Sequence, residues 1–140
     1  MTHLNSKLPN VGTTIFTVMS KMAAEYEAIN LSQGFPNFPI ANELQEAYEE
    51  VLKGNSHQYM PMPGAPRLLQ EVAGKIKLHY GRNIQPNEEL LITAGATQAI
   101  FTTIQALIHS GDEAIVLDPS YDCYGPAVEL AGGKPKHMNL

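Results

Sequence analysis

Leu91-Ile92-Thr93-Ala94-Gly95-Ala96-Thr97-Gln98-Ala99-Ile100 is the stretch whose reading decides the fold. Its first three residues are apolar or β-branched and predict a buried strand, and small residues carry the turn that follows. From Ala96 onward Ile100, Ile104, Leu107 and Ile108 recur at helical spacing, which predicts a helix to about His109, closed by Ser110-Gly111-Asp112. The continuous apolar run Ala114-Ile115-Val116-Leu117 then predicts a second strand. Strand, helix and strand make a βαβ unit, which demands a mostly parallel sheet flanked by helices and places the chain in the α/β class.

The turn inside that unit has a chemical consequence. The first N–H groups of a helix have no intrahelical partner, and the aligned peptide dipoles put partial positive charge at the same end. A phosphate answers both, with Gly95 and Ala96 allowing close backbone approach and the Thr97 hydroxyl adding a hydrogen bond. Small residues at a helix start also serve plain packing against a strand, and the turn alone leaves both readings open. In parallel sheets ligands bind beyond the carboxyl ends of the strands. Gly95-Ala96-Thr97 and Asp118-Pro119-Ser120-Tyr121 both follow such ends.

Upstream, Ile15, Met19, Met22 and Ala23 share one face of a helix expected over residues 13–28. The loop Ser32-Gln33-Gly34-Phe35-Pro36-Asn37-Phe38-Pro39 follows, its two prolines and glycine forbidding regular structure. Leu44, Ala47, Tyr48, Val51 and Leu52 stripe a helix over Asn42 to Lys53 that Gly54 ends; Glu43, Glu46, Glu49 and Glu50 take its solvated face and carry no chemistry. An irregular stretch from Asn55 to Pro66 contains Tyr59, Met60 and Met62, whose apolar side chains read as loop packing. Another amphipathic helix, marked by Leu69, Val72, Ala73 and Ile76, ends near Gly81 despite Gly74, and residues 83–89 read as a polar turn. Beyond the second strand a helix over residues 124–131 and a strand over residues 134–140 are expected. A chain that stops on a sheet strand reads as incomplete at its C-terminus.

Composition excludes several classes. The 140 residues carry 9 Lys and Arg against 14 Asp and Glu, a net charge of -5, and no basic cluster denser than Lys75, Lys77 and Arg82, so nonspecific nucleic-acid binding is not expected. No apolar run is long enough to cross a bilayer, and the polar start lacks a secretory h-region. With Cys123 as the lone cysteine, a disulfide framework is excluded and a reducing, cytoplasmic address is expected. His3, His57, His79, His109 and His137 lack metal-motif spacing, so no metal site is expected.

Three segments carry a family resemblance: Asn30-Leu31-Ser32-Gln33-Gly34-Phe35-Pro36, the loop Gln58-Tyr59-Met60-Pro61-Met62-Pro63-Gly64, and Thr93-Ala94-Gly95-Ala96-Thr97-Gln98-Ala99 followed by Asp118-Pro119-Ser120-Tyr121-Asp122-Cys123-Tyr124. In this order and spacing the chain resembles the class I/II aminotransferases, fold type I enzymes that use pyridoxal 5'-phosphate, within the methionine, kynurenine and glutamine-phenylpyruvate branch. The likeness runs over the whole chain but only the first part of a family member. It implies a fragment with residues 1–40 as an N-terminal segment bearing the substrate-side loop, and residues 41–140 as the first part of the large cofactor domain. Gly95, Ala96 and Thr97 match the phosphate cup, and Tyr121 matches the aromatic that stacks on the pyridine ring. Tyr59 matches the tyrosine that reaches across a homodimer interface to the partner's cofactor phosphate. From the residues alone it is a loop aromatic. Gly34 and Phe35 match the wall of the pocket for the amino acid and 2-oxo acid substrates.

The chain departs from the family in two respects. Where the family commonly reads Gly-x-x-x-Leu-Arg after the tyrosine loop, this chain has Leu69 in the arginine's place, with Arg67 two residues earlier as a possible substitute. The lysine that bonds the cofactor, the aspartate at the pyridine nitrogen and the arginine that grips the substrate carboxylate match no position here, so no catalytic residue is assigned and the chain alone is expected to be inactive. A β-lyase of the same fold acting on sulfur-containing amino acids, and a noncatalytic phosphate-ligand binding fragment, stand as the alternatives.

Overall fold

A computed structural model describes residues 5–54 and 58–140, so His3 and His57 lie outside the described residues. In chain order the elements are α1 (Ile15–Glu25), α2 (Asn42–Lys53), α3 (Pro66–Tyr80), α4 (Pro86–Glu89), α5 (Ala96–Leu107), β1 (Glu113–Asp118), α6 (Tyr124–Leu130) and β2 (Lys134–Asn139). They fall into two units: one combines the residues up to Phe35 with Ala94–Leu140, and the other is Pro36–Thr93.

Within the Pro36–Thr93 unit, local signals set each boundary. α2 spans the residues its apolar stripe predicts, and that stripe is exposed, with Leu44 at 62% and Tyr48 at 64%. α3 begins at Pro66, whose missing N–H costs nothing in a first turn, and ends at Gly81, whose φ of 68° lets its N–H close on the Lys77 carbonyl at 2.9 Å. Leu69 is buried on α3, so the position where the family commonly carries arginine serves packing here. Arg67 makes no ion pair among the described residues.

Residues 83–89, expected as a turn, close into a single helical turn at Pro86–Glu89. Glu89 reaches back to accept the Gln85 N–H at 2.6 Å and meets Arg82 at 3.1 Å. Those contacts hold its carboxyl below the usual carboxylate range, the Gln85 amide most of all.

The strand expected over residues 91–93 does not form. Extended backbone becomes a strand only through a ladder of hydrogen bonds, and here Ile92 N–H instead donates to the Pro63 carbonyl at 2.9 Å. Gly64 sits against that contact at φ 121°, with no room for a Cβ beside Ile92.

In the other unit α1 is shorter than expected. Thr14 caps it through the Thr17 N–H, and Glu27 at φ 50° turns the chain out of the helix. The βαβ unit is β1-α6-β2, one step later along the chain than the reading from residue 91 placed it. β1 and β2 pair in parallel from Glu113 with Lys134 to Asp118 with Asn139. Val116 of β1 and Ala127 and Val128 of α6 form the buried core. α5 is tied to α6 by Gln105, whose Nε2 donates to the Ala127 carbonyl at 3.0 Å. Gly133 brings the chain back into β2 so tightly that a Cβ there would lie 2.6 Å from Ile108 Cγ2 and 2.9 Å from Val128 Cγ1.

Candidate functional site

α5 begins where a chain of small residues has to leave an extended segment and enter a helix within one residue. Gly95 makes that change at φ 88°, ψ 166°, a conformation that side chains disfavour. As N-cap it has no side chain to accept from the first-turn amides of Ala96 and Thr97, and both residues are exposed. The result is an uncapped helix end with its partial positive charge facing outward.

Gln98, three residues past Gly95, folds back so that its Oε1 accepts the Ala94 N–H at 2.5 Å. This is the logic of a capping box shifted by one residue: it fixes the entering chain without using the Ala96 and Thr97 amides. Gln98 stands in the motif quoted from the sequence without a role of its own, and a glutamine at the third helical position is the signal that finds it.

Tyr121 arrives from the loop after β1. Its hydroxyl lies 3.3 Å from Thr97 Oγ1, which joins the two segments singled out from the sequence. The ring is held at its sides, with Tyr124 edge-on at 6.0 Å between centroids and Phe16 of α1 tilted at 6.4 Å, yet Tyr121 remains 44% exposed. An aromatic fixed in orientation and open to solvent beside a helix N-terminus is a platform for a flat ligand carrying an anionic group. Behind the loop, Asp118 Oδ2 lies 2.9 Å from His137 Nδ1 across the β1-β2 pair, and the Leu140 N–H donates to the Asp118 carbonyl at 3.0 Å.

Gly34 and Phe35 belong to the same unit as Tyr121 and follow an Asx turn in which Asn30 Oδ1 accepts from the Ser32 amide and hydroxyl at 3.0 and 2.6 Å. Phe35 is 67% exposed, and a Cβ on Gly34 would meet open space. Tyr59 belongs to the Pro36–Thr93 unit and is fully exposed. Cys123 borders the cluster, but burial, helped by the neighbouring Asp122 carboxylate, pushes its thiol up, away from the nucleophilic thiolate. Among the described residues no three His, Cys, Asp or Glu side chains are grouped to hold a metal, and no helix is long and apolar enough to cross a membrane.

Residues 26–140 match the family model for aminotransferase class I and II. The chain belongs to that family. A methionine aminotransferase of Escherichia coli K12 is 47% identical over 135 residues, which are 96% of this chain and 35% of that protein. Human kynurenine-oxoglutarate transaminase 1 is 38% identical over 122 residues, covering 86% of this chain and 29% of its own length. A crystal structure that identified the methionine aminotransferase function in Escherichia coli superposes with a TM-score of 0.93 at 45% identity, over all of this chain and 37% of that one. The fold is therefore that of the fold type I aminotransferases, and the chain spans about a third of the length of the relatives it matches.

Proposed function

We propose that this chain is the cofactor-anchoring N-terminal part of a pyridoxal-phosphate-dependent aminotransferase that moves an amino group from methionine or an aromatic or glutamine-like amino acid to a 2-oxo acid. The observation that carries the proposal is the meeting of Thr97 and Tyr121 at the uncapped start of α5. Family membership and the names of the relatives support the reaction and the donor class.

The residues fit the group. The amides of Ala96 and Thr97 and the Thr97 hydroxyl would hold its phosphate, with Gly95 clearing the approach, and Tyr121 would support its flat ring. A helix end supplies only about half a positive charge against nearly two negative charges on a phosphate monoester, and neither the segment 94–101 nor 119–124 contains Lys or Arg. Further donors are therefore needed. Tyr59, exposed and remote in sequence, is proposed to supply one from the second subunit of a homodimer.

Pyridoxal phosphate, when bound, supplies an electron sink that lets the amino group pass between the two acids. This chain's residues bind and orient. They hold the phosphate so that the reacting end of the ring points one way, and Gly34 and Phe35 line the side from which the amino acid enters. In this proposal none of these residues moves a proton in the full-length protein. Residues 41–140 are proposed as the first part of its large domain, and the cytoplasm as its location, on the lone cysteine.

The test is incubation of the full-length protein with pyridoxal phosphate, borohydride reduction, and mass analysis of the modified lysine. Turnover is then followed with methionine and with phenylalanine, each with and without a 2-oxo acid acceptor. Acceptor-dependent product is expected. Release of oxo acid, ammonia and thiol without acceptor from a cysteine S-conjugate, which carries its leaving group on Cβ, would assign a β-lyase instead, and no reduced lysine adduct would remove the enzyme class.

A further inference from the structure

Tyr121 has a second role open to it, carried by its hydroxyl. The proposal rests on the reading of the site given above. Thr97 Oγ1 carries one hydrogen and two lone pairs. If the hydrogen goes to a phosphate oxygen, the oxygen can still accept a hydrogen bond, and Tyr121 OH stands within reach of it at 3.3 Å. We infer that Tyr121 is a phosphate-positioning residue as well as a ring platform: Tyr121 O–H donates to Thr97 Oγ1, and Thr97 O–H donates to the phosphate.

Three features support that direction. Tyr124 and Phe16 flank the Tyr121 ring, which keeps its hydroxyl oxygen beside Thr97 Oγ1. Thr97 lies in the first turn of α5, so its hydroxyl is fixed relative to the amides that share the anion. Hydrogen bonds in a chain polarise one another, so a donor behind Thr97 makes its hydroxyl a better donor to the phosphate. A phenylalanine at this position keeps the stacking face and loses only this link.

The experiment uses the full-length apoprotein and two probes that do not condense with lysine, pyridoxamine 5'-phosphate and pyridoxamine, titrated calorimetrically. Tyr121→Phe is expected to weaken pyridoxamine 5'-phosphate roughly three- to tenfold, the worth of one neutral hydrogen bond, and pyridoxamine by less than about twofold. In a Thr97→Ala background the same change is expected to have no further effect, because the relay is already cut. Thr97→Ser, which keeps the hydroxyl, is expected to restore the sensitivity.

Equal weakening of both probes by Tyr121→Phe would reduce Tyr121 to a packing and stacking residue and overturn the inference. The same loss of pyridoxamine 5'-phosphate affinity in the Thr97→Ala background would overturn it too. A wild-type protein that binds both probes equally well would remove the phosphate cup itself, and this inference with it.

Discussion

Replacing Gly133 by alanine is expected to loosen the β1-α6-β2 unit, and the structure gives the size of the effect. The added methyl would stand 2.6 Å from Ile108 Cγ2, 2.9 Å from Val128 Cγ1 and 3.3 Å from the Asp112 carbonyl oxygen. The first two distances are shorter than any carbon pair tolerates. Val128 is buried at 3% exposure and cannot swing out, while the Gly133 N–H is fixed to the Val128 carbonyl at 2.9 Å. Overpacking of this kind costs about 1–3 kcal/mol, which corresponds to roughly 5- to 150-fold faster amide exchange where opening of the unit governs it. Hydrogen exchange of the full-length protein, read by mass spectrometry in peptides covering residues 104–140, reports it locally. Two further variants separate causes. Gly111→Ala meets open space and suffers only its φ of 92°, a strain of about 1–2 kcal/mol. Ile108→Ala makes room for the methyl, so the double variant should be at least about 1 kcal/mol more stable than the sum of the singles. Additivity within about 0.5 kcal/mol, or unchanged exchange in Gly133→Ala, would refute the reasoning.

Gly95→Ala should lower pyridoxal phosphate affinity roughly tenfold through backbone strain of about 1–2 kcal/mol, because φ 88° is disfavoured while its Cβ meets open space; unchanged affinity in an equilibrium titration counts against the cup. Glu89 titrates below an ordinary glutamate, so its contribution is present above the unfolded-state pKa and is lost as pH falls through the lower folded value. Glu89→Gln should therefore narrow its deficit against wild type on acidification, and a deficit constant from pH 7 to pH 3 in chemical unfolding would contradict this. Cys123, its thiol raised by burial and by Asp122, should react with iodoacetamide at pH 8 more slowly than free cysteine, and Asp122→Asn should speed it modestly.

Most helices were legible because their causes are local. The stripe of α2, Pro66 and Gly81 bounding α3, and Gly95 before α5 each act within a turn of the residue that carries the signal. The strand at residues 91–93 was misread because strand formation depends on a neighbour, and Ile92 finds Pro63 instead. At the site, the glycine turn and Tyr121 were visible as types. Their connection was not: Thr97 and Tyr121 are separated by α5 and β1, and no periodicity relates them. The Asp118-His137 pair is hidden for the same reason, since only the register of β1 on β2 brings it together.

The unit that bears the site is interrupted in sequence, residues up to Phe35 joining Ala94–Leu140 across the Pro36–Thr93 unit. That interruption sets a timetable for the nascent chain. At about 5–20 residues per second, residues 36–93 take roughly 3–12 s to synthesise. Throughout that interval Phe16 has been made and Tyr121, the ring it will meet, has not. The Phe16 side of that contact therefore waits seconds for its partner, long compared with the microseconds in which helices form and chains collapse. For this chain the ring contact that flanks Tyr121 can close only after the whole Pro36–Thr93 unit has been synthesised.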